Sequence, residues 1–192
     1  MNHIAKIHAA FDKHLAFMQA SREQISDDIA RFATLLVETL KNGGKVLLMG
    51  NGGSAADAQH FAAELVGRFL RERQALPAIA LTTDSSILTA IGNDYGYERV
   101  FSRQVEALAA RGDLVVGIST SGNSQNVLNA LTVAATRGCR TAGLLGGDGG
   151  SIRASVDLAL VAPCQSTPHI QEIHAFVIHV VCDLVEQAFC KA

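Results

Sequence analysis

Apolar positions along the chain change their period several times. Between Asn2 and Ala20, Ile4, Ile7, Phe11, Leu15 and Met18 recur at helical spacing. Ile25, Ile29, Phe32, Leu35, Leu36 and Leu40 predict a second helix, with Ser21 or Ser26 as its cap and Asn42-Gly43-Gly44 as its end. Short apolar runs then predict strands at 45–49, 77–81, 114–118, 140–145 and 157–161. Helical patterns follow them at 55–69, from Asp84 or Ser85, at 97–110 and at 125–137. A last long helix starts at Ser166 or Thr167, with Pro168 in its first turn. Gly92-Asn93-Asp94-Tyr95-Gly96 is expected to interrupt the helix after Asp84. Strands alternating with helices imply an α/β fold, a parallel sheet with helices on both faces. Five strands suit the flavodoxin-like order 2-1-3-4-5, with a ligand beyond the strand ends at the switch point. No repeat or linker divides the chain, so one domain is expected over 1–192, with a helical lead over about 1–42.

Two strand ends carry chemistry. The run Val115 to Ile118 leads into Ser119-Thr120-Ser121-Gly122-Asn123-Ser124 and then a helix that Gly138 closes. Free backbone N–H groups at such a helix start favour an anion. The hydroxyls of Ser119, Thr120, Ser121 and Ser124 make it a neutral cradle for one phosphoryl group; the plain alternative is a serine-rich turn with Ser124 as N-cap. Gly50-Asn51-Gly52-Gly53-Ser54 repeats the geometry after the first strand. Its G-x-G-x-x-A match (Gly50, Gly52, Ala55) is a weak dinucleotide fingerprint, because no acidic residue about 20 positions on stands at the end of the next strand; Asp84, which follows that strand, comes much later. Both loops are expected to face one cleft.

His60 and Glu64 lie four apart on the next helix and share a face among apolar neighbours. The terminal helix sets Gln171, Glu172, His174 and His179 in an apolar stripe, where several polar groups need partners, each other or a metal. On one straight helix Gln171 and His179 are about 12 Å apart along the axis. Either that helix is irregular near Pro168 or ligands to one ion come from different chains.

Composition narrows the class. A net charge of -2 carries no footprint for nucleic acid or membrane, and no apolar run approaches a span. Cys139, Cys164, Cys182 and Cys190 form no CxxC pair and read as reduced residues of a cytoplasmic protein. His3, His8 and His14 read as surface. The apolar stripes of the two opening helices lack an evident intrachain cover, which points to a homo-oligomer.

The loop Ser119–Ser124 resembles the phosphosugar-binding loop of the sugar isomerase (SIS) domain. With Asn51-Gly52-Gly53-Ser54, His60-Phe61-Ala62-Ala63-Glu64-Leu65, Gly92-Asn93-Asp94, and Gln171-Glu172-Ile173-His174 with His179, residues 43–187 resemble the phosphoheptose isomerases of that family. The resemblance implies zinc held by His60, Glu64, Gln171 and His179. It implies sugar-phosphate contacts from Asn51, Gly52, Gly53, Asn93, Asp94, Ser119, Thr120, Ser121 and Ser124. Ser54, Glu64 and Gln171 are also expected to face substrate. The implied reaction is D-sedoheptulose 7-phosphate to D-glycero-D-manno-heptose 7-phosphate, for lipopolysaccharide core, capsule or another glycoconjugate, in a tetramer. Glu64 is expected to take the C1 proton and His179 to be the acid–base partner. The alternative is a non-catalytic phosphosugar binder, or a relative of the SIS protein that binds the initiator DnaA. That protein lacks the Glu and the final His that stand here as Glu64 and His179.

Overall fold

A computed structural model describes residues 2–190; Met1, Lys191 and Ala192, the ends of the expected domain, lie outside the described residues. Two helices, α1 (His3–Gln24) and α2 (Ser26–Lys41), precede the sheet. The strands β1 (Val46–Gly50), β2 (Ala78–Ala80), β3 (Leu114–Ser119), β4 (Arg140–Leu145) and β5 (Leu158–Val161) pair in parallel in the order β2-β1-β3-β4-β5, as expected. Successive side chains of a strand point to opposite faces. So Val46 and Leu48 pack with α2, α3 (Gly53–Val66) and the terminal helix α8 (Thr167–Phe189). Leu47 and Met49 instead meet α4 (Ser85–Tyr95), α5 (Ser102–Leu108), α6 (Gln125–Thr136) and α7 (Gly150–Arg153). Each large side chain buried this way contributes about 1.5–3 kcal/mol over its exposed state. Gly50 aligns with Ile118 across β1 and β3, which brings the loops after the two strands together.

Four local expectations are corrected. The helix after Asp84 is not interrupted at Gly92; it runs to Tyr95 and stops at Gly96, whose φ is +89°. Asp84 Oδ1 caps it by accepting from the Ile87 amide at 2.9 Å, and one internal glycine, a loss of about 1 kcal/mol, does not break a capped helix. The single helix expected over 97–110 is a 3₁₀ turn, Tyr97–Arg99, followed by α5. Ser21 and Ser26 cap nothing; their hydroxyls donate back to the carbonyls of Phe17 and Arg22. The stripe on α2 is covered within the chain, with Phe32 and Leu36 fully buried against the sheet. The stripe on α1 is not: Ile4, Ile7, Phe11 and Leu15 stay exposed.

The terminal helix is regular, with Pro168 in its first turn where no N–H is required. Four consecutive residues of it point four ways. Gln171 lies over Gly53, Glu172 meets His14 of α1 at 2.8 Å, Ile173 enters the core, and His174 reaches the end of β4. His174 is fully buried; its Nε2 is 3.0 Å from the Leu145 carbonyl oxygen and its Nδ1 has no partner.

Burial drives the His174 imidazole down to about 4, against the Leu145 hydrogen bond, from an ordinary value of 6.5. Between those values the unfolded chain holds a proton that the native chain refuses. This contribution is therefore complete above about pH 6.5 and is lost as pH falls toward 4. It amounts to on the order of 3 kcal/mol. Denaturant titrations from pH 7 to 4.5 should show wild-type stability falling, and a shallower fall in His174→Gln. Parallel curves would contradict this assignment.

Candidate active site

The loop after β3 is braced from several sides. Ser119 is buried, and its Oγ lies 2.9 Å from the Ser124 Oγ. Ser124 occupies the N-cap position of α6, yet its hydroxyl is turned to Ser119 and caps nothing. The first turn of α6 finds a side-chain acceptor elsewhere: Asn126 Oδ1 accepts from the Val127 amide at 2.9 Å. Gly122 has φ +65° and its N–H donates to the Ser119 carbonyl at 3.1 Å; a Cβ there would strike the Gly149 backbone. Asn123 Oδ1 accepts from the Ser151 amide at 3.0 Å and from its hydroxyl at 2.9 Å, tying the loop to α7. Thr120 and Ser121 open onto a cavity of about 330 Å³, completed by Gly147, Asp148, Gln165, Thr167 and Ile170.

The loop after β1 touches this one directly. Asn51 Nδ2 donates to Asn126 Oδ1 at 2.9 Å, and Asn126 Nδ2 donates to Asn51 Oδ1 at 2.8 Å. The Tyr97 hydroxyl also donates to Asn51 Oδ1, at 3.2 Å. This reciprocal amide pair joins the starts of α3 and α6, so the two loops do share one end of the sheet. Gly52 has φ +55° and open space around it, whereas Ser54 is buried beneath Gly50. Gly53 carries the Gln171 carboxamide directly above its Cα.

A second cluster lies along the same pair of helices. His60 Nε2 is 3.1 Å from Glu64 Oε1 and 3.3 Å from His179 Nε2. The Phe69 ring stacks on His179, with centroids 5.7 Å apart. The Glu64 side chain keeps 23% of its surface and His60 39%, so both are open to a ligand. One turn before His60, burial raises the Asp57 carboxyl against the pull of His60, and its Oδ2 is buried without a hydrogen-bond partner.

Two imidazoles and one carboxylate suit a divalent ion such as zinc. Their spacings of 3.1 and 3.3 Å approach the edge of a tetrahedron built on bonds of about 2.0–2.1 Å. Among the described residues no group of three or more His, Cys, Asp or Glu is closed into a ready metal site. The supposed irregularity near Pro168 is absent, so a regular α8 holds both His179 at the cluster and Gln171 at Gly53. Asn93 and Asp94 are exposed on the last turn of α4, where Asn93 Nδ2 donates to Asp94 Oδ1 at 2.8 Å. Arg68 lies 3.8 Å from Glu72, as an exposed pair.

Sequence reading missed Asn126, Tyr97, Phe69 and the Gln165–Thr167 wall. Asn126 had a signal: it is a polar residue four before Ala130, on the buried face of α6. Phe69 lies beyond the end of α3 at Val66 and Tyr97 in a 3₁₀ turn, so the helical periods expected over 55–69 and 97–110 do not give their side chains' directions.

The SIS domain family model matches residues 11–146. The phosphoheptose isomerase of Geotalea uraniireducens (strain Rf4) is 60% identical over 184 residues, 96% of this chain and 97% of its own. That of Geobacter sulfurreducens is 65% identical over 170 residues, 88% and 90% of the two chains. The solved phosphoheptose isomerase of Neisseria gonorrhoeae superimposes with a TM-score of 0.91 at 46% identity, covering 95% of this chain and 98% of that one. The Francisella tularensis enzyme gives 0.94 at 38% identity, covering 97% and 100%.

The Gly53–Gln171 contact has a direct test. Gly53 is helical with ordinary φ, so alanine should not lower stability and can raise it by up to about 1 kcal/mol. A Cβ would nonetheless push the Gln171 carboxamide aside. Gly53→Ala should melt at or above the wild-type temperature and turn over at least ten-fold more slowly. Wild-type turnover would contradict a working role for this contact.

Proposed function

We propose that this chain, which belongs to the phosphoheptose isomerases of the SIS domain family, converts D-sedoheptulose 7-phosphate to D-glycero-D-manno-heptose 7-phosphate through an enediol. The observation that carries the site assignment is the meeting of His60, Glu64 and His179 between α3 and α8, with Gln171 of α8 against Gly53 and Ile170 lining one cavity with Thr120 and Ser121. The phosphate rests against Ser119, Thr120, Ser121, Ser124 and the first turn of α6, where backbone N–H groups supply charge complementarity without a cation. Asn51, Gly52, Gly53 and Gln171 border the sugar. Asn93 and Asp94 contact its hydroxyls from an exposed edge, which suits a site completed by a second copy of the chain.

Isomerisation moves a proton from C1 to C2 while negative charge develops on oxygen. Glu64 takes the C1 proton; its partly open setting lets that proton exchange with water. His179 serves the oxygens or C2. His60, Glu64, His179 and Gln171 would hold zinc or a similar divalent ion, which when bound polarises the carbonyl. The product is a heptose phosphate for glycoconjugate synthesis, and the reaction is placed in the cytoplasm. No described helix is long and apolar enough to cross a membrane.

The assembly is a homotetramer. Ile4, Ile7, Phe11 and Leu15 are exposed on α1, and Leu15 lines one groove with Phe176 and Leu184 of α8, apolar surface that a second copy would cover. Light scattering at micromolar concentration should give about four times the chain mass; a monomer would contradict this reading.

Glu64→Gln preserves shape and removes the base. It should reduce kcat by about 10²–10⁴-fold while substrate still binds. His179→Gln should fall similarly, and the double variant by far less than the product of the two losses. Full turnover in Glu64→Gln would remove it as the base. Dialysis against chelator, then re-addition of zinc, should abolish and restore activity; indifference to chelator would remove the metal.

A further inference from the structure

The segment after α3 is irregular, yet it is held by a fully buried carboxylate that accepts three backbone hydrogen bonds. Glu186 lies two turns beyond His179 on α8 and is fully buried. Its Oε1 accepts from the Phe69 amide at 2.9 Å, and its Oε2 accepts from Leu70 at 2.8 Å and Arg71 at 2.7 Å. Three consecutive N–H groups thus converge on one charge. Burial opposes that charge, but these donors and Arg73 outweigh it and hold the carboxyl below its ordinary range. Arg73 lies beside it, with Nε 3.6 Å from Glu186 Oε1 and only 1% of its side chain exposed. Its guanidinium donates to the Glu64 carbonyl at 2.6 Å and to those of Leu65 at 2.9 Å and Gly67 at 3.2 Å. Those carbonyls end α3, where a cation is favoured.

This ion pair has two outputs, and both are at the site. Through the Phe69 amide it fixes the ring that stacks on His179. Through Arg73 it holds the last turn of α3, which carries Glu64. A fold needing only a closed loop after α3 could bury an apolar residue at position 186, in line with Cys182 and Val185. A buried ion pair is seldom a net gain in stability over apolar packing. We infer that Glu186 and Arg73 are positioning residues for the isomerase reaction, setting the His179 ring and the Glu64 turn through the strap 67–73.

This inference rests on the roles given above to Glu64 and His179. Glu186→Gln keeps an acceptor oxygen and the side-chain length but puts an amide where three N–H donors converge. In protein that retains native circular dichroism, kcat should drop ten-fold or more with KM within about two-fold of wild type. In samples carrying ¹³C-labelled histidine, the His179 ring resonances should move away from their ring-current-shifted positions. Phe69→Leu keeps the strap and removes only the stacked ring. It should shift the same resonances and lower kcat, and the two changes together should cost little more than Glu186→Gln alone. If Glu186→Gln does not fold, Phe69→Leu alone decides the ring part. Unchanged His179 resonances with unchanged kcat, in either folded variant, overturn the inference. Losses that multiply in the double variant also overturn it. Wild-type turnover in His179→Gln would instead sink the underlying reading, and so separates the two failures.

Discussion

The packing of α3 against α8 on one face of the sheet is the constraint on which the site depends. Phe61 and Leu65 of α3 and Ile173, Val177 and Ile178 of α8 are buried in one cluster, and their removal from water sets how the two helices face each other. His60 and Glu64 lie on the margin of that contact, as does His179, so apolar packing brings three polar groups within 3.3 Å steps. The sheet adds the second requirement. Parallel strands end on the same edge, so the loops after β1 and β3 open side by side, and the Asn51–Asn126 pair locks them together.

The site is therefore rigid where it binds and more open where chemistry is assigned. Ser119, Ser124, Gly122 and Asn123 are held by hydrogen bonds within the loop and to α7, so the phosphate proposed to bind there would meet a preformed cradle. The imidazole–carboxylate cluster is partly exposed and held mainly through its helices and the Phe69 ring. On the proposed reading, a preformed anchor remote from the reacting carbons would supply affinity and leave the groups near C1 and C2 free to act on developing charge.

Much of this was legible because the controlling patterns are local. The five strands and their order follow from apolar runs separated by helical periods, and the turn residues mark where each strand stops. The i,i+4 relation of His60 and Glu64 is a property of any helix. The boundaries that failed depend on competition between weak preferences. Gly92 reads as a breaker, but the Asp84 cap and the packing of Leu88 and Ile91 outweigh it. Phe69 and Arg73 were not legible, because their directions are set by Glu186, more than a hundred residues away. Glu186 itself carried a readable sign: a carboxylate in the buried stripe with Ile178, Cys182 and Val185.

The central claim is that Glu64 removes a proton from C1 and shares it with water. Sedoheptulose 7-phosphate labelled with deuterium at the transferable C1 position and converted in ordinary water tests it directly. The account expects most of the label to appear in solvent and hydrogen to occupy C2 of the product. Label carried whole from C1 to C2, the mark of a hydride shift, would contradict it.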